Sequence, residues 1–277
     1  MALEVFPKLP TLKGIEKGPA QTQALLSIID SSLRPYLKNI PDDKTLIDVM
    51  IEFMDPRKPL PKGSYLLETS YQAYMDLVTH LAMETVTKLQ FQEYDAYLTS
   101  YFSSSEDMMA SGQRFMMRFP KMHKDFSEER LYTREGAEQD IGYYNDLAGH
   151  YEKSIALVVG LMKLLEGKQV DYPSMRKRQL SANLKSVTKR EYSLLASLDK
   201  HIRNAIAHNQ VILHPDKGSV TFYDAVSGFS SEYSYEDVRK KAKELAASVI
   251  ALYAVPNLIH TELFISLRDS AIGAVKP

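Results

Sequence analysis

Residues Arg203-Asn204-Ala205-Ile206-Ala207-His208 bring a permanent cation, an amide and a titratable imidazole into one short stretch. Arginine offers a planar, two-pronged donor set that matches phosphate. Histidine moves protons near neutral pH. These are the groups needed to cleave a phosphodiester without a metal. One activates or protonates an oxygen, and the other stabilises charge building on the phosphate.

The stretch needs a scaffold that presents it. Leu195, Leu198, Ile202 and Ala205 recur at helical spacing and predict a buried stripe on a helix over about 191–208. Asn204 and His208, four residues apart, lie about 40° apart on such a helix, with His201 on the same side. These polar groups are expected to face away from the core, toward solvent or a partner. Arg203 lies about 140° from His208. Convergence of the two therefore needs a distorted helix end, a long reach by the arginine, or a second copy of the chain. Asn209-Gln210 and the strand-like residues beyond favour termination at His208. A second match to the spacing, Arg118-Phe119-Pro120-Lys121-Met122-His123, is set aside. Pro120 is expected to interrupt any helix there, and Phe119 gives the arginine no polar neighbour.

A basic segment leads into the motif. Residues 174–203 hold Arg176, Lys177, Arg178, Lys185, Lys189, Arg190, Lys200 and Arg203 against Glu191 and Asp199, a net +6. The whole chain is −1, so the remainder carries −7 and any attraction to nucleic acid must be local. The segment reads as a track for a phosphate backbone, with a solvated basic helix face as the alternative.

The other elements follow from apolar spacing and breakers. Residues 1–18 read as an extended lead-in, 20–39 as a helix bent near Pro35, and 42–54 as a short helix. A long amphipathic helix is expected over 64–102, and a shorter one around Met108–Met117 ends at Pro120. Residues 121–135 are charged and mark a soft boundary. A long helix spans 137–166 and closes at Gly167. Tyr172-Pro173 reads as a turn. Val211–Leu213 and Val220–Tyr223 form a hairpin across Pro215-Asp216-Lys217-Gly218. Ser234 and Asp237 resemble a capping box opening a final helix that Pro256 ends. The fold class is mostly α, a helical bundle with a small hairpin inserted after the motif helix and an N-terminal helical region. Residues 1–130 and 131–277 are read as two domains.

Composition narrows the chemistry. With no cysteine there is no disulfide and no thiol nucleophile. Walker A, GxGxxG and GxSxG are absent, and His80, His123, His150, His214 and His260 show no paired metal spacing. No metal or other cofactor is expected. His201 and His214 lie near the motif and are candidates to assist it. The N-terminus lacks a signal-peptide pattern. The apolar run at Ile155–Leu165 is interrupted by Lys163 and falls short of the roughly 20 residues a bilayer span takes, so a cytoplasmic location is expected.

In this helical context Arg203-Asn204-x-x-x-His208 resembles the HEPN domain, a helical family of prokaryotic toxins and phage-defence proteins. The resemblance covers about residues 137–257. It implies metal-independent RNA cleavage, with His208 as general base or acid at the ribose 2′-hydroxyl, Arg203 stabilising the phosphate and Asn204 orienting a neighbour. It also implies a homodimer with a composite site, 2′,3′-cyclic phosphate and 5′-hydroxyl products, and a cognate antitoxin or regulatory protein as a further partner. A non-catalytic nucleotide- or RNA-binding module and a helical interaction scaffold are the rival readings.

Overall fold

The computed structural model describes residues 46–103, 106–129, 131–189 and 191–273. The expected lead-in and the helix near Pro35 lie outside the described residues. Contacts divide the chain into a larger unit, Arg57–Pro256, and a smaller one made of Met1–Pro56 with Asn257–Pro277. The boundary expected near residue 130 falls within the larger unit. In the smaller unit helix α1 (Leu46–Met54) carries Asp48, which pairs with Arg268 at 3.5 Å.

The protein is mostly α, with a small antiparallel sheet. The single helix expected over 64–102 is three elements: a 3₁₀ turn (Tyr65–Glu68), α2 (Tyr71–Lys88) and α3 (Phe91–Ser103). The chain breaks because Leu89 is extended, and Glu93 reaches back to accept from the Gln90 amide at 3.0 Å. Helix α4 (Glu106–Ser127) continues through Pro120 instead of stopping there. Proline costs an interior helix about 3 kcal/mol. Burial of Phe115, Met122 and Phe126 on one face of α4 offsets that cost.

Helix α5 (Arg134–Leu165) is the spine of the larger unit. Thr133 caps its start by accepting from the Gly136 amide, and Gly167 ends it with φ +73°. The amides of Gly167 and Lys168 bond the carbonyls of Leu164 and Lys163, the paired bonds of a glycine-terminated helix. Tyr144, Leu147, Tyr151, Ile155, Val158 and Leu161 bury its inner face. Tyr172-Pro173 is not a turn but the first turn of α6 (Tyr172–Lys177), capped by Asp171. Helix α7 (Leu180–Thr188) follows.

The motif helix α8 is Lys200–Ala207, shorter than the expected 191–208. Leu195 and Leu198 are buried as the stripe requires, but they belong to a 3₁₀ turn (Ser193–Leu195) and the segment after it. Asp199 sets the start by accepting from the amides of His201 and Ile202. Strands β1 (Val211–His214) and β2 (Ser219–Asp224) form the expected hairpin, and a third strand, β3 (Phe229–Ser234), pairs with β2. Ser234 and Asp237 form the capping box, the Asp237 amide donating to Ser234 Oγ at 3.0 Å and the Ser234 amide to Asp237 Oδ2 at 3.4 Å, and open helix α9 (Tyr235–Gly273). Helix α9 runs through Pro256 rather than ending there. Its residues Tyr235–Asp269 are long and apolar enough to cross a membrane by length and composition, so this stretch, not Ile155–Leu165, is the most span-like among the described residues. A buried core helix passes the same test, and 56% of its most apolar window is buried in the protein.

Candidate functional site

Helix α8 is fixed at both ends and along two sides. At its start the Tyr144 hydroxyl of α5 accepts from the Asp199 amide at 2.9 Å. At its end His208 is followed by Asn209 at φ +56°, a left-handed residue. The Gln210 amide bonds the Ala205 carbonyl at 2.7 Å, and the Asn209 amide bonds that of Ile206 at 3.1 Å. Asparagine tolerates this conformation better than any residue with a bulkier, non-polar Cβ substituent. Asn209→Ala is therefore expected to lower stability by about 1 kcal/mol and Asn209→Gly to leave it nearly unchanged, read from thermal unfolding midpoints. This turn leaves His208 exposed, with its imidazole making no hydrogen bond among the described residues.

Arg203 does not project freely. Its Nε donates to Glu152 Oε1 of α5 at 2.8 Å, with both side chains about one-third exposed (36% and 31%). Its Nη1 donates to Asn204 Oδ1 at 3.3 Å. Asn204 in turn donates to Asp224 Oδ2 of β2 at 3.2 Å. The arginine is thus aimed by an acid from α5 and by an amide that the sheet holds.

Asp224 is the hub that the local sequence does not reveal. Its side chain is 2% exposed. It faces His201 Nδ1 at 3.1 Å and accepts from the Ser227 hydroxyl at 2.9 Å and the Val226 amide at 3.2 Å. Burial alone raises a carboxyl pKa, but the bonds from His201, Asn204, Ser227 and Val226 outweigh it and hold Asp224 well below the usual carboxylate range. The His201 ring stacks on Phe229, centroids 4.5 Å apart and planes 18° apart. His201 and Asn204 therefore turn toward the end of the sheet rather than to open solvent.

The basic segment is spread over several elements. Lys177, Lys185, Lys189 and Lys200 are exposed, and Arg176 is half-buried. Arg178 is tied to α7 by bonds of 3.4 Å to the Ala182 carbonyl and the Ser186 hydroxyl. Arg190 lies outside the described residues. The set-aside match at 118–123 has a different fate from its expected one. No helix break separates its members. Arg118 instead pairs with Asp146, while the His123 ring packs against Tyr65 and Phe119 at 5.3 and 5.6 Å. His80, Glu84 and Glu191 bring three possible metal-ligand atoms within 4.8 Å of one another. Glu84 is already bonded by Lys88 and by the Tyr192 hydroxyl.

Sequence reasoning missed Glu152 and Asp224 as members of this cluster. They stand 51 and 20 residues from their partners on α8. No family model matches the chain, and no curated protein or solved structure matches it.

Proposed function

We propose that the chain is a metal-independent endoribonuclease of the HEPN type, acting in the cytoplasm within a toxin, defence or stress system. The observation that carries this reading is the division of labour on α8. His208 is exposed at the helix end, its imidazole without a hydrogen bond among the described residues, while Arg203 is oriented by Glu152 and Asn204. His208 takes the ribose 2′-hydroxyl proton, and Arg203 meets the charge on the phosphate. Arg203 leans on α5 while His208 ends the helix, which favours a homodimer in which two motifs complete each other. RNA approaches along the exposed lysines 177, 185, 189 and 200, and an antitoxin or regulatory protein is the further partner.

The test is cleavage of RNA by purified protein in excess EDTA, with 2′,3′-cyclic phosphate and 5′-hydroxyl ends as products. His208→Ala is expected to slow cleavage by about 10²-fold or more. Equal rates for variant and wild type overturn the assignment. The Arg203–Glu152 ion pair favours a second reading, a non-catalytic RNA- or nucleotide-binding module, because Glu152 offsets the charge that a transition state needs while Nη2, with no bond among the described residues, can still hold a phosphate. That reading requires binding that survives His208→Ala but weakens on Arg203→Ala and with added salt.

A further inference from the structure

His201, Asn204 and His208 fall at i, i+3 and i+7, so they follow one face of α8 and its terminal turn. Two histidines about two turns apart flank an amide on that face. Cleavage of RNA by its own 2′-hydroxyl needs groups on opposite sides of the phosphorus. One removes the 2′-proton, and the other supplies a proton to the departing 5′-oxygen. His208 serves the first need, which leaves the second open.

The surroundings of His201 decide which of its nitrogens is available. Asp224 Oδ2 accepts the Ser227 hydroxyl proton at 2.9 Å, so the serine oxygen turns its lone pairs toward His201. Nδ1 of His201 therefore faces two acceptors, Asp224 Oδ2 and Ser227 Oγ, each at 3.1 Å, and must carry the hydrogen. Stacking on Phe229 fixes the plane of the ring. Nε2 is left as the working nitrogen, with no bond among the described residues, on a side chain 27% exposed. The carboxylate behind Nδ1 also fixes the direction of Nε2, the nitrogen from which a protonated ring would give its proton.

We propose that His201 is the general acid of this site and that Asp224 is its positioning residue, a role that rests on the ribonuclease reading above. In the step, the 2′-oxygen bonds to phosphorus as His208 takes its proton. The P–O5′ bond breaks, and O5′ takes the Nε2 proton of His201. The products are a 2′,3′-cyclic phosphate and a 5′-hydroxyl, with the two histidines' proton states exchanged and reset by water.

Leaving-group chemistry isolates this role. The probe is a single-stranded RNA that the wild type cuts, made with the normal 5′-oxygen or with a bridging 5′-sulfur at the scissile linkage. A thiolate departs without a proton. His201→Gln is expected to slow the oxygen substrate by about 10²-fold and the sulfur substrate far less, whereas His208→Ala slows both. Asp224→Asn is expected to give the His201→Gln pattern in weaker form. If His201→Gln slows both substrates alike while wild type cuts both, the general-acid role fails and the ribonuclease reading stands. Wild type that cuts no RNA removes the reading and the role together. Nitrogen-15 NMR of the wild-type imidazoles gives a readout independent of activity. Neutral His201 is expected as the Nδ1–H tautomer, and an Nε2–H tautomer overturns the assignment.

Discussion

Arg239→Ala is expected to lower the stability of the folded chain by about 3–5 kcal/mol, the usual cost of removing one partner from a buried ion pair. Arg239 lies near the start of α9 and is 6% exposed, and its partner Asp140 on α5 is 4% exposed. The guanidinium reaches Asp140 Oδ1 at 3.4 Å through Nη1. Through Nη2 it donates to the carbonyls of Asp125 and Glu128 at 2.5 and 3.0 Å. The Asp125 carbonyl is in the last turn of α4 and that of Glu128 just beyond it, where a helix has no intrahelical donors to offer. One side chain therefore caps α4, answers a buried carboxylate on α5 and begins α9. Alanine removes all three contacts, and water has little access to replace them. The measurement is denaturant unfolding, with a lower midpoint at unchanged slope. The double variant Arg239→Met with Asp140→Leu is expected to recover part of the loss, because it removes the buried charges together but leaves the Asp125 and Glu128 carbonyls without their donor. A single variant that unfolds like wild type contradicts the assignment.

The same contrast between local and distant partners explains what the sequence made legible. Arg203, Asn204 and His208 could be picked out because one helix and the residue that ends it carry all three within six positions. Helix α5 could be read because its apolar spacing persists for eight turns and a glycine stands at its end. The capping box at Ser234 was legible for the same reason, since both members are local. The prolines misled. Pro120 and Pro256 each remove one backbone donor, and a local window registers that loss but not the burial that offsets it. Strand β3 was missed because Phe229–Ser234 alternates weakly, with serines and a glutamate between its two aromatic residues, and gains its order from pairing with β2. The start of α8 was misplaced because the apolar stripe continues into a 3₁₀ turn, whereas the Asp199 cap marks the true boundary.

For the site, the limit is chain distance. His201 stood next to the motif in the sequence but had no visible role. Its meaning depends on Asp224, which the antiparallel β1–β2 hairpin returns to the side of α8. Glu152 sits among the buried residues of a long helix, and nothing around it in sequence signals an arginine partner 51 positions later. The hairpin insertion is therefore more than a connection between helices. It delivers the carboxylate that orders two polar residues on the motif face.

Gly160→Ala is the other change with a large expected effect, about 3–5 kcal/mol of lost stability. In an exposed helix the same change stabilises by roughly 0.5–1 kcal/mol, because alanine restricts the unfolded chain. Gly160 differs because a Cβ there lies 1.8 Å from the Tyr97 hydroxyl oxygen, 2.2 Å from Cζ and 2.8 Å from Cε2. Tyr97 on α3 is 2% exposed, and its hydroxyl donates to the carbonyls of Ala156 and Leu157 at 3.1 and 3.2 Å. Burial pushes its pKa well above the ordinary tyrosine value, which keeps that donor proton in place. The missing side chain at position 160 is what lets the tyrosine ring lie against the backbone of α5. An added methyl forces the ring away, which adds about 1–3 kcal/mol of overpacking to a similar cost for stranding a buried hydroxyl. Tyr97→Phe in the Gly160→Ala background is expected to give little rescue, since Cζ and Cε2 still collide. Tyr97→Leu is expected to recover more, because the colliding ring atoms are gone. Chemical denaturation of the four proteins decides it, and a Gly160→Ala variant more stable than wild type contradicts the close approach of α3 to α5.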